Sequence, residues 1–156
     1  MHETALLEQL TEDIGIAHQL LELIDEEFAA LGNRDLAGLE AILTKKQPLL
    51  ALLGQHGAQR SQWLTGQQLT PDRNGLQAAV SGSPSGETIL EQARTLEAEL
   101  ESCRSANERN GRLIRANQNA LGSMLRILQG KDDTPDLYDN RGGASKSKQQ
   151  RPLSQA

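Results

Sequence analysis

Aromatic residues are nearly missing from this chain of 156 residues, where Phe28, Trp63 and Tyr138 are the three present. A core without rings has to be built from leucine and alanine, which suits long thin helix pairs better than a round globule. β-Branched residues are also scarce, while Leu, Ala, Glu and Gln dominate. That balance excludes a β fold and predicts an all-α domain. Cys103 is a lone cysteine, so no internal disulfide can form and a reducing compartment is the simple reading. Its place on an apolar seam makes it a buried thiol rather than a nucleophile.

The longest greasy run, from Leu49 to Leu53, is far too short to span a bilayer. The start, Met1-His2-Glu3-Thr4, lacks the basic stretch of a signal peptide, so a cytoplasmic, soluble protein without membrane insertion is expected. A net charge of -5 with so few stacking platforms argues against a nucleic-acid surface. His2, His18 and His56 lie far apart and have no cysteine partners, which predicts no metal site. Arg141-Gly142-Gly143 follows no strand and opens no helix, so it is not a phosphate cradle, and no nucleophile sits beside a base. Neither catalytic residues nor a cofactor are expected, and what remains is a protein that binds other proteins.

Periodicity lays out the elements. Leu7, Leu10, Ile14, Ala17, Leu21, Ile24, Phe28 and Leu31 alternate at three and four residues, the pattern of one long helix that Gly32 and Asn33 should end. Asn33 or Asp35 can cap a second helix running to about Thr65, and so short a turn forces the two to run antiparallel. Pro48 lies inside it and predicts a kink. A Gly, Ser, Pro and Gln-rich stretch from Gly66 to Thr88 reads as a crossover with one short helix, from Thr70-Pro71 to about Val80. A last helix is predicted from near Ser85 to Gln129, with Gly130 ending it. The whole is an elongated antiparallel three-helix bundle over residues 1–130, resembling a coiled coil. Residues 131–156 have too few apolar anchors to fold alone and are expected to form a flexible basic tail, with Arg141, Lys146, Lys148 and Arg151 and no acid beyond Asp139.

The last helix has a seam of changing character: Ala93, Leu96, Leu100, Cys103, then Asn107, Asn110, Ile114, Asn117, then Leu121, Met124 and Leu128. A buried amide without a partner costs about 1–3 kcal/mol, so these asparagines either find partners in the bundle or mark a surface for something else. On the second helix Lys46 and Arg60 share one heptad position. Either both snorkel to water, the slightly favoured reading, or they form a structural polar layer with Asn107, Asn110 or Asn117. From Leu113 onward the last helix carries two apolar stripes, Ile114, Leu121, Leu125 and Leu128 on one side and Leu113, Ala116, Ala120, Met124 and Ile127 on the other. That width serves either two partners within the bundle or an exposed patch for an amphipathic helix of another protein. In the tail, Leu137-Tyr138 between Pro135, Asp136 and Asp139 has the form of a short docking motif.

Lys46-Gln47 with Leu49-Leu50, then Arg60, then Asn107-x-x-Asn110-Gly111-x-Leu113-Ile114, then Leu137-Tyr138-x-x-x-Gly142 before a basic tail resemble the bacterial FlgN family of flagellar export chaperones. The resemblance covers most of the chain. It implies a cytosolic chaperone that holds the hook–filament junction proteins FlgK and FlgL before their export through the flagellar type III apparatus. Client binding would fall on Leu113, Ile114, Asn117, Leu121, Met124, Leu125 and Leu128, and docking to the export gate and its ATPase components on Leu137 and Tyr138. Two rivals need no secreted client. One is a dimeric coiled-coil scaffold with the first helix as its homodimer seam, and the other a nucleic-acid adaptor acting through Arg141 to Arg151.

Overall fold

The computed structural model describes residues 1–130; Leu137, Tyr138 and the rest of the basic tail lie outside the described residues. Four helices follow in order: α1 (Glu3–Asn33), α2 (Leu36–Gly66), α3 (Arg73–Ala79) and α4 (Gly86–Leu128). No helix among them is long and apolar enough to cross a membrane.

The α1–α2 turn departs from the expected chemistry. Gly32 is still helical, and Arg34 takes the left-handed position at φ 56° and ψ 38°. Its amide and that of Asp35 close the end of α1 on the carbonyls of Leu31 and Ala30. Asp35 then caps α2 by accepting from the Gly38 amide at 2.9 Å. The helix runs unbroken through Pro48 from Leu36 to Gly66. At the far end the short α3 is capped by Asp72, which accepts from the Gly75 amide at 2.9 Å and from the Thr70 hydroxyl at 2.7 Å. These bonds, the Thr70 hydroxyl first, hold the Asp72 carboxyl below its usual range. Gly75 is required there, because a Cβ would lie 1.7 Å from the Thr70 carbonyl oxygen.

α1 is the hub. Asp13 meets Arg60 and Glu27 meets Lys46, so α1 and α2 are antiparallel. Ala17 meets Cys103 and Ile24 meets Asn110, so α4 runs parallel to α1. The arrangement is up, down, up, with α3 in the crossover. α2 and α4 both pack on α1, yet their Cα atoms nowhere come within 8 Å of each other.

Serving two partners moves the buried seam of α1 from the one expected. Leu6, Leu10, Asp13, Ala17, Leu20, Ile24, Glu27 and Leu31 are buried, an alternation of four and three that passes through two acids. Leu7, Ile14 and Leu21 are only half-buried at its edge, and Phe28 is exposed under the Arg109 guanidinium, 4.0 Å from the ring centroid. The core therefore falls into blocks. Leu6, Leu10, Leu64, Leu76, Val80, Ile89 and Leu96 fill the crossover end. Ile16, Leu20, Ile24, Cys103 and Ala106 fill the middle, with Leu49, Leu50, Leu52 and Leu53 packed against them. Cys103 donates to the Ala17 carbonyl at 3.4 Å, and burial, followed by the nearby Glu99 charge, pushes its thiol pKa up. It is a core residue.

Candidate functional site

Two buried ionic layers separate the apolar blocks. In the first, Asp13 is fully buried, with Arg60 Nη1 at 2.6 Å from one oxygen and His56 Nδ1 at 2.5 Å from the other. Arg60 also donates to Gln9 at 3.0 Å. In the second, Lys46 lies 3.6 Å from Glu27, which accepts at 2.9 Å from the Asn110 amide. Asn110 donates as well to the Ile24 carbonyl, and its own oxygen accepts from Arg109, which reaches on to Asp25.

The snorkelling expected of Lys46 does not occur, since its side chain is 1% exposed. The cations pair with carboxylates of α1 that the heptad reading had passed over, and of the three asparagines only Asn110 joins a layer. Asn107 is half-buried with no hydrogen-bond partner for its side-chain oxygen, and Asn117 is half-buried higher up. The missed signal was a spacing. Asp13 and Glu27 lie as far apart on α1 as Lys46 and Arg60 do on α2, so antiparallel packing brings both pairs together at once.

Beyond the second layer α4 outruns its support. The register that sets Cys103 beside Ala17 and Asn110 beside Ile24 puts Asn119 level with the end of α1 at Asn33. The helix then continues to Leu128, about 13 Å further at 1.5 Å per residue. Leu121 is 51% exposed, Leu125 56% and Leu128 79%, with Met124 and Ile127 open as well. The broad apolar face is thus not spent on the bundle. Leu113 is half-buried at its root, and Ile114 is buried, so it belongs to the bundle seam rather than to the open stripe.

Ile114 also lines a pocket of about 250 Å³ at the foot of this overhang, with Leu31, Leu36, Leu39 and Leu43 as the other apolar walls. Leu36 is 75% exposed although it starts a helix in a short turn. Glu27 and Glu40 complete its lining, so the concavity at the foot of the overhang is apolar with two acids on its wall.

A model of the FlgN protein family matches residues 1–146. The chain belongs to the FlgN family. It is similar to a crystal structure of a flagella synthesis protein FlgN from Pseudomonas aeruginosa, at 41% identity and a TM-score of 0.69. That match covers 82% of this chain and 98% of the other. No curated relative matches the sequence. On this FlgN chain the residues that the resemblance implied for client binding fall in two settings. Leu121, Met124, Leu125 and Leu128 project into solvent, while Leu113, Ile114 and Asn117 sit where the overhang leaves the bundle. Nothing in the sequence pattern pointed to Leu36, Leu39 and Leu43 as their companions, because on α2 they read as ordinary core. No group of three His, Cys, Asp or Glu residues is placed to hold a metal among the described residues.

Proposed function

We propose that this chain is a cytosolic chaperone of flagellar type III export that holds the junction proteins FlgK and FlgL on the α4 overhang and hands them to the export gate. The observation that carries the reading is the overhang itself, five large apolar side chains left open on a helix that has outrun its bundle. A helix end of this kind would be an aggregation liability unless something covers it. The patch is small, which suits a protein that must both hold and release its client, since affinity then stays moderate. Leu137 and Tyr138, beyond the end of α4, would make the separate contact with the gate and its ATPase components, so that client and gate need not compete.

The test is capture of purified FlgK and FlgL by the full chain and by a Leu121→Asp, Leu125→Asp variant. Capture should be lost while the circular dichroism and melting temperature of the variant stay close to those of the parent, because both side chains are open in the free protein. Retained capture would remove α4 from the client site. Self-association of the parent that the same pair of substitutions abolishes would instead support a dimeric scaffold. Tyr138→Ala should leave client affinity unchanged and weaken only binding to gate components.

A further inference from the structure

The pocket at the foot of the overhang has a sign as well as a shape. Its apolar walls come from α1, α2 and α4, and the charged residues among them are two acids, Glu27 and Glu40. Glu27 is committed to Lys46 and Asn110. Glu40 is exposed, and its carboxylate is joined to no cation among the described residues. The arginines of α4 are not on the wall, since at 100° per residue Arg115 stands about 100° and Arg112 about 160° round the helix from Ile114. A volume of about 250 Å³ is below the usual range of small-molecule sites, about 300–1,000 Å³, and has room for one or two side chains of a peptide.

Residues 131–156 hold two apolar anchors large enough to fill it, Leu137-Tyr138 and Leu153. Charge separates them. Leu137-Tyr138 stands among Asp132, Asp133, Asp136 and Asp139, whereas Leu153 follows Lys146, Lys148 and Arg151 in a stretch without any acid. Reach separates them too. From Gly130 back to the level of Ile114 is about 24 Å along α4, at 1.5 Å per residue. Fully stretched, the chain from Gly130 to Leu137 spans at most about 25 Å, with nothing left for the crossing to α2, while that to Leu153 spans about 80 Å. We propose that Leu153 seats in the pocket of its own chain, with Lys148 and Arg151 beside Glu40. Leu137 and Tyr138 remain available for the separate contact given to them above. Leu153 lies beyond the residues 1–146 that the family model matches, so the contact draws on residues outside the shared family region. Its consequence for clients rests on the reading proposed above: Leu153 covers the foot of the overhang in the empty chaperone, and a client that uses the foot displaces it. The contact itself does not depend on that reading.

At an effective concentration of about 1 mM, Leu153 fills the pocket nine-tenths of the time if the same segment binds in trans with a Kd of about 0.1 mM. The test titrates a synthetic peptide of residues 146–156 into full-length chains, followed by the methyl NMR signals of Leu36, Leu39 and Leu43. The Leu153→Asp chain, changed outside the bundle, should bind the peptide about tenfold more tightly than the parent, because its own anchor no longer competes. Adding Glu40→Lys to it should weaken the peptide several-fold, and that difference should shrink by about 0.5 M salt. Leu137→Asp with Tyr138→Asp should leave the peptide at the parent's affinity. Equal affinity for the parent and Leu153→Asp, or a peptide that moves none of these signals, would overturn the proposal, and a gain in the Leu137→Asp, Tyr138→Asp chain instead would make that anchor the occupant. A nitroxide on Ser154→Cys, with Cys103 buried and out of its way, should broaden the same three signals within one chain. Broadening as strong when nitroxide and isotope sit on different chains would assign the pocket to a second copy. Purified FlgK or FlgL should restore the broadened signals, and broadening that persists with client bound would overturn the displacement. Loss of FlgK and FlgL capture would leave the Leu153 contact standing, and absence of that contact would leave the client reading intact.

Discussion

Lys46 shows how one side chain can set a register. Its ammonium has left water almost completely and is held by Glu27, itself held by Asn110. Removing one member strands the other. Lys46→Met should therefore lower stability by about 3 kcal/mol, whereas Lys46→Met with Glu27→Leu should recover most of that loss, since a buried pair contributes little beyond an apolar replacement of similar volume. Urea denaturation of the three proteins checks this, and a double variant as weak as the single one would show the pair itself to be strongly stabilising. The sequence marked half of this device. Lys46 and Arg60 stood out because a cation on an apolar heptad position is conspicuous, but Asp13 and Glu27 were hidden because Leu7, Ile14, Leu21 and Phe28 made a complete apolar seam beside them. A helix that serves two partners has more than one such seam, and apolar periodicity cannot choose between them.

At the scale of elements the long helices were legible because each repeats its pattern over many turns. In the α1–α2 turn the end of α1 at Asn33 and the Asp35 cap were legible too, but the left-handed residue was not, because Gly32 offered a terminator that the chain does not use. Arg34 sits at φ 56° instead, a conformation costing an ordinary residue about 1 kcal/mol. Arg34→Gly should relieve that strain and raise stability by roughly 0.5–1 kcal/mol, the gain being trimmed by the extra freedom glycine has in the unfolded chain. A lowered melting temperature would mean that the Arg34 side chain stabilises the turn by more than its backbone costs. The α4 overhang was half legible. Its two stripes were plain in the sequence, but whether the bundle would cover them depended on where α1 ends relative to α4, which is fixed by the crossover and by contacts such as Ser83 with Glu3.

Across the whole molecule, the dependence of α2 and α4 on one central helix decides how a client could be held and released. Glu27 bonds to both partners, through Lys46 on α2 and Asn110 on α4. Of the α1 seam a coiled-coil homodimer would use, Leu10, Ala17, Ile24 and Leu31 are already buried inside the chain, while Leu7, Ile14 and Leu21 are half-buried and Phe28 is exposed. If α1 needs both neighbours, the bundle unfolds as a unit and client exchange has to occur on the overhang without opening it. The expected outcome is a single thermal transition in which far-ultraviolet circular dichroism coincides with the fluorescence of Trp63, the one tryptophan, placed at the crossover end. A fragment of residues 1–66 should by the same reasoning lose cooperative folding, because Ile16, Leu20 and Ile24 would face water where Cys103 and Ala106 now cover them. A stable fragment, or a Trp63 transition well separated from the helical one, would show the α1–α2 hairpin to be self-sufficient. In that case α4 could leave the bundle, and client release would run through the movement of a whole helix instead of the exchange of one surface.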